Sequence, residues 1–212
     1  MKSLRSFFLQ QPEVKYKKGN VLLHQGEAAD SVFFLGDGFV KAYTIADDGD
    51  EKLIAILGPG DLMNLEAAVF PNTTHRYYFE TMTDVQIRSV PADELAQTIK
   101  QDTAVLNSPV RYLLTWNSEL SQTLDNILQA KADTKLVNYL GLLVNRFGQE
   151  VREGVVQIPF PLSHAQLASM VGTTRETMTT QVSQLARRGV LKSNKSCLEI
   201  NLAKLREMTD LE

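Results

Sequence analysis

Apolar positions along this chain keep two different periods, and the change of period divides it. Between Pro12 and Ala92 they come in short alternating runs cut by glycines: Val14 to Gly19, Val21 to Gly26, Val32 to Gly36, Phe39 to Ile45 and Lys52 to Gly58. Short strands bounded in this way predict an antiparallel barrel or jelly roll, with Asp47-Asp-Gly-Asp50 as a hairpin turn and Val85 to Val90 as a further strand. Ser3 to Leu9 reads as a short amphipathic helix ahead of it, Pro91 closes it, and Ala92 to Gln101 reads as a helix behind it.

From Ser108 the period lengthens. Ser108-Pro109 supplies a capping serine and a proline at the first helical position, a helix start. Leu113, Trp116, Leu120, Thr123, Ile127 and Ala130 then alternate by three and four residues, the spacing of a coiled-coil seam. These six are the expected interface with a second copy of the chain. Packing on the barrel is the competing use of this helix, and both hold if they take different faces. Ala132 to Phe147 is a second helix with Leu136, Tyr139, Leu140 and Leu143 inward, Gly148 to Gly154 breaks it, and Val155 to Phe160 returns to strand.

The densest signal lies between Pro161 and Gly189. Ser163 can cap a short helix with the apolar stripe Leu167, Met170 and Val171, and Gly172 permits a corner. Thr173 or Thr174 caps a second helix with Met178, Val182 and Leu185 inward and Gly189 as its stop. Ala168 is small enough to let the two helices cross closely. This is a helix-turn-helix, whose second helix enters the major groove and meets base edges near its N-terminus.

Thr174, Arg175, Glu176, Thr179 and Thr180 are the candidate base readers. Arginine can bond guanine through two hydrogen bonds, glutamate can accept from a cytosine amino group, and threonine offers a hydroxyl or a methyl. Val190 to Ile200 reads as a hairpin turning at Asn194-Lys195, a wing, and Leu202 to Met208 as a terminal helix. Ser163, Thr173, Ser183, Lys192 and Lys195 are the candidate phosphate contacts, which fix position without reading sequence.

Charge sharpens this reading. A net charge of −3 disfavours non-specific nucleic-acid binding, yet residues 161–206 hold seven basic side chains against two acidic ones, leaving −8 for the rest. With 43% apolar and 22% charged residues, 212 residues suit a soluble protein of two modest domains. No apolar run reaches membrane-spanning length and the N-terminal apolar stretch is too short for a secretory signal, so the cytoplasm is expected and no membrane partner.

The single cysteine, Cys197, excludes a disulfide framework or a multi-cysteine metal site and is expected to pack in a strand. Jelly rolls also host metal oxygenases, which cluster histidines and a carboxylate inside the barrel. The histidines here are His24, His75 and His164, and the last belongs to the helix-turn-helix. No metal site or catalytic set is expected, which leaves a cupin-like enzyme as the remote alternative.

Val171-Gly-Thr-Thr-Arg-Glu-Thr-Met178 resembles the recognition segment of the cyclic-AMP receptor protein and FNR (Crp/Fnr) superfamily of bacterial transcription factors. The order Gly26, Gly36-Asp-Gly38, Gly58-Pro-Gly-Asp61 is similar to the cyclic-nucleotide-binding β-roll of the same superfamily. The resemblance implies an α+β chain: an N-terminal antiparallel β-roll with flanking helices over 1–107, a dimerisation helix over 108–131 and a winged helix-turn-helix over 132–212. It implies a DNA-binding transcription regulator, homodimeric on a palindromic site, with double-stranded DNA, its own copy and RNA polymerase as partners. By that likeness Arg175 and Glu176 read bases. Thr180 stands where the cyclic-AMP-sensing member has a further reading arginine, so the DNA site should differ in part, and Gln181 stands on the buried side of the helix where an aliphatic residue is usual.

In cyclic-nucleotide sensors a Phe-Gly-Glu-Leu segment and an Arg-Ser pair capture the phosphate, through free backbone N–H groups and a guanidinium. Here Leu62-Met-Asn-Leu65 and His75-Arg76 take those places, with neither the glycine nor the glutamate. The expected effector is therefore a small molecule other than cyclic AMP, with Met63, Asn64, Leu65, Arg76 and Tyr77 as its candidate contacts and no resident cofactor. Arg76-Tyr-Tyr78 is similar to the Arg-Phe-Tyr of cyanobacterial-type nitrogen regulators, which sense a small dicarboxylate. Arg76 either holds such a carboxylate or points to solvent, and His75 is expected on the surface or in a loop. An effector-independent member of the family is the alternative.

Overall fold

The computed structural model describes residues 4–47, 49–70, 72–101, 103–129, 132–194 and 196–208. Contacts divide the chain into two compact units, Met1–Ser118 and Glu119–Glu212.

The first unit opens with α1 (Leu4–Phe8) and continues through eight strands: β1 (Glu13–Tyr16), β2 (Val21–Leu23), β3 (Ser31–Asp37), β4 (Val40–Ile45), β5 (Glu51–Leu57), β6 (Leu62–Met63), β7 (Tyr78–Thr81) and β8 (Val85–Pro91). They form two four-stranded sheets, ordered β1-β8-β3-β6 and β2-β7-β4-β5, with every pairing antiparallel. The expected hairpin lies between β4 and β5, where Ala46 donates to the Asp50 carbonyl at 3.0 Å. Strand β3 explains why Val32-Phe-Phe-Leu35 is apolar without a break. Val32 and Phe34 join a core with Leu4, Phe8 and Leu95, whereas Leu35 joins the roll interior with Val40, Leu57, Phe79 and Ile87. A strand covered on both faces needs apolar residues at every position. The β3–β4 corner can take only glycine: Gly38 has φ +81°, and a Cβ there would sit 2.2 Å from the Asp84 carbonyl oxygen.

Helices α2 (Ala92–Gln101) and α3 (Thr103–Gln129) follow. The start expected at Ser108-Pro109 is a correction: α3 begins at Thr103 and carries Pro109 inside it. A proline in the second turn removes one bond, to the carbonyl of residue 105, and its ring is buried, so the helix runs on. The expected boundary between residues 107 and 108 thus falls within a helix. Tyr112 fixes this part of α3 to the roll, its hydroxyl donating to the Leu62 carbonyl at 3.1 Å and accepting from the Leu62 N–H at 3.3 Å.

The second unit contains α4 (Ala132–Phe147), β9 (Gln149–Arg152), β10 (Val155–Ile158), α5 (His164–Val171), α6 (Arg175–Arg187), β11 (Leu191–Ser193), β12 (Leu198–Asn201) and α7 (Leu202–Arg206). Its sheet runs β11-β12-β10-β9. Leu136, Leu140, Ile158, Phe160, Leu167, Met178 and Ile200 are fully buried and form its centre. Arg146 of α4 pairs with Glu119. The segment expected only to break α4 holds a strand, β9, as a hairpin partner of β10. Each of its four residues is exposed, so no alternation of apolar and polar positions marks it. Cys197 is buried in the turn one residue ahead of β12. Among the described residues no helix is long and apolar enough to cross a membrane.

Candidate nucleic-acid interface

Local sequence sets the two helices of the candidate interface. The Ser163 hydroxyl accepts from the Gln166 N–H at 3.1 Å while the Gln166 side-chain oxygen accepts from the Ser163 N–H at 2.9 Å, a reciprocal cap that starts α5. Gly172 ends it at φ 66°, ψ 48°, the left-handed region that glycine enters without strain. Of the two threonines expected to start α6, Thr174 is the cap: its hydroxyl accepts from the Thr177 N–H at 3.2 Å. Met178, Val182 and Leu185 are buried as expected, and Gln181 is as buried as they are, at 5% exposure.

The opposite face is open. Arg175 and Glu176 occupy the first turn of α6 and are exposed, with Thr179, Thr180 and Ser183 exposed beyond them. Three hydroxyls on this face bond backward to the helix: Thr179 donates to the Arg175 carbonyl at 2.8 Å, Thr180 to Glu176 at 3.1 Å and Ser183 to Thr179 at 2.8 Å. His164, at the start of α5, reaches across to Thr179, with Nδ1 3.0 Å from Oγ1. Sequence reasoning gave His164 no task, because a contact fifteen residues away depends on how two helices cross.

The wing is the β11–β12 hairpin. Asn194 organises its turn, its side-chain oxygen accepting from the N–H groups of Ser196 and Cys197, each at 2.9 Å. Lys192 is exposed on β11; Lys195 lies outside the described residues. An open groove of about 530 Å³ brings Ser183 and Ala186 of α6 together with Lys192 and Ser193 of the wing. Ser183 and Lys192, both expected at phosphate, therefore share one surface. Thr173 is half-buried in the corner and Ser163 is exposed at the α5 cap. Lys204 bonds elsewhere, its ammonium donating to the Arg188 carbonyl at the end of α6 at 3.1 Å.

In the roll, the residues expected at an effector divide. Met63 is 1% exposed and belongs to the roll interior, and Leu65 belongs to the core under α1 and α2. Asn64 between them is buried at a left-handed φ of 64°, and its amide donates to the Ser31 carbonyl at 2.7 Å. Arg76 is exposed in the bend before β7. Tyr77 packs against the roll interior, and so does Trp116 of α3, which also stacks on Tyr112 at 6.4 Å.

Trp116, which its spacing assigned to the seam, is half-buried against the roll, where an indole buries more apolar area than along an open helix face. Leu113 and Leu120 of that seam are 52% and 44% exposed and Thr123 is half-buried. The side chains of Ile127 and Ala130 lie outside the described residues. His75 lies in a loop as expected but is buried, at 6% exposure. Its N–H and carbonyl are tied to Glu27 and Gly26, each at 2.9 Å, which draws the ring inward.

Comparisons with known proteins agree with this build. The family model described as a cyclic nucleotide-binding domain matches residues 13–102, and that described as a Crp-like helix-turn-helix domain matches residues 134–208. The chain is similar to the global nitrogen regulator of Nostoc sp., at 22% identity over 88% of this chain and 83% of that one. It is similar also to the CRP-like cAMP-activated global transcriptional regulator of Mycobacterium tuberculosis, at 25% identity over 84% and 79%. The solved structure of FixK2 from Bradyrhizobium japonicum shares the fold, with a TM-score of 0.78 and 21% identity over 95% of this chain and 98% of that one. Carrying a cyclic nucleotide-binding domain followed by a Crp-like helix-turn-helix, and resembling regulators of the same build along most of its length, the chain belongs to the Crp/Fnr superfamily of DNA-binding transcription regulators.

Proposed function

We propose that this regulator works as a homodimer on a two-fold-symmetric DNA site, with α6 in the major groove and Lys192 and Ser183 on the flanking phosphates. The observation that carries it is the capped α6, which presents Arg175 and Glu176 at its first turn on a face the protein leaves uncovered. Two such helices related by a dimer axis meet half-sites about 34 Å, one helical turn, apart. The dimer reading draws support from α3, where Val110, Leu113, Leu114, Leu120, Leu124 and Leu128 are all exposed. An apolar stripe of that length on a helix calls for a partner.

The effector is a small molecule other than cyclic AMP, with Arg76, next in sequence to the Tyr77 that packs on the roll interior, as its cation. By linkage, effector and DNA then favour the same state of the dimer. RNA polymerase is the further partner, and the protein acts in the cytoplasm without catalysing a reaction. One observation favours a second reading, in which no effector is needed: Met63 lies within the roll interior and Tyr77 and Trp116 pack against it, so the chain's own side chains take up the expected effector region.

Selection of duplexes from a random library by the purified protein tests both. A palindromic consensus recovered without added metabolite supports the effector-independent reading. A consensus that needs a dicarboxylate or nucleotide pool supports the sensor, and its loss in Arg76→Ala places the ligand. Failure to recover any consensus under either condition would overturn the DNA reading.

A further inference from the structure

On the reading that α6 lies in the major groove, we infer that Thr179 recognises the C5-methyl group of a pyrimidine with its own methyl, while His164 holds it in that pose. The alternative use of a groove threonine is a hydrogen bond from its hydroxyl to a base. The geometry of Thr179 closes that option. Its oxygen lies 2.8 Å from the Arg175 carbonyl and 3.0 Å from His164 Nδ1. A hydroxyl carries one hydrogen. Whichever of the two neighbours takes it, none remains for guanine N7 or O6 or for thymine O4. The ring also occupies one side of the oxygen and opposes rotation about χ1. Thr179 is nevertheless exposed on the face that carries Arg175, so toward a thymine, whose major-groove edge presents O4 and a methyl, the group it has left to offer is its own methyl.

Thr180 makes the same backward bond, to Glu176 at 3.1 Å, but has no imidazole beside it. Both its lone pairs remain open to an adenine or cytosine amino group, whereas the imidazole covers one side of the Thr179 oxygen. In the major groove the apolar group a pyrimidine presents is the methyl at C5, carried by thymine and equally by 5-methylcytosine. Residues four apart share one helix face about 6 Å along the axis, so the methyl is met within about two base pairs of the base that Arg175 contacts.

The test selects sites with the full-length protein from three libraries of one random design. One is made with thymine, one with deoxyuridine in its place, and one with 5-methylcytosine in place of cytosine. The wild type should prefer thymine at one position per half-site, lose that preference in the deoxyuridine library, and accept cytosine there in the 5-methylcytosine library. Loss of one methyl contact should weaken the matched duplex about fourfold per half-site. Thr179→Ser keeps the hydroxyl bonds and should be indifferent to all three chemistries, Thr179→Val should retain the methyl preference, and His164→Ala should blunt it. A full deoxyuridine penalty in Thr179→Ser, or none in the wild type, overturns the inference. If Arg175→Ala shifts the consensus in those same experiments, the reading of α6 survives that failure. If Arg175→Ala changes nothing, or no consensus emerges, the reading falls first and the inference with it.

Discussion

Thr174 and Arg175 are neighbours in sequence, and on the proposed reading they divide the labour of α6 between stability and reading. The Thr174 hydroxyl accepts from the Thr177 N–H and donates to the Thr177 hydroxyl at 3.1 Å, so the side chain expected at a base is spent on closing the helix. Thr174→Ala should therefore cost about 1 kcal/mol of helix stability, seen as faster amide exchange in the first turn of α6, and leave the selected consensus unchanged. A changed consensus would restore Thr174 as a reader. The caps and the inward stripe were legible because they depend on residues three or four apart. The Thr179–His164 contact was not, since it joins two helices.

His75 is a second residue whose surroundings the sequence hid. Burial holds its imidazole below the ordinary histidine range, against the opposing pull of the Glu27, Glu66 and Asp30 carboxylates and with a smaller push from His24 in the same direction as burial. The folded chain thus resists a proton that the unfolded chain accepts. Stability is fully present above the ordinary value of about 6.5 and is lost as pH falls from there through the lowered folded value. The melting temperature of the roll should drop as pH falls below about 6.5, and His75→Phe should flatten that slope. An unchanged slope would place the acid sensitivity elsewhere.

At the scale of elements, α3 shows how one helix serves two surfaces. Tyr112 and Trp116 turn toward the roll, whereas Leu113, Leu120, Leu124 and Leu128 stay exposed. A three-and-four spacing registers apolar residues and is silent on which apolar surface each meets, so the packing of Trp116 on the roll was not legible in it. Leu120→Arg places a charge in the exposed stripe and should convert a dimer to monomers in multi-angle light scattering, with the roll still folded as judged by Trp116 fluorescence. A dimer of unchanged affinity would move the interface off α3. Strand β9 was illegible for the opposite reason: with all four residues exposed, only its backbone pairing to β10 defines it. Most strands of the roll were legible because glycines bound them and they carry buried apolar residues, whereas β1, exposed at all four positions, was marked only by the alternation of Val14 and Tyr16 with lysines.

For the molecule as a whole, the uneven charge is what a sequence reader needs to carry. A net charge of −3 keeps the protein from coating nucleic acid, while the surplus of five positive charges within residues 161–206 concentrates attraction where the reading helix and wing lie. Binding through a few phosphates releases a few counterions, so affinity should fall with salt along a line whose slope counts those contacts. Lys192 is exposed on the wing and shares a groove with Ser183 of α6, and on the proposed reading it meets phosphate. Lys192→Ala should weaken matched and mismatched duplexes by the same factor and lower the slope of log K against log salt by about 1 per protomer, hence about 2 for a dimer. Fluorescence anisotropy across a salt series measures both quantities together. A variant that loses affinity for the matched duplex alone would show Lys192 reading sequence, and one with an unaltered slope would leave the wing outside the DNA footprint.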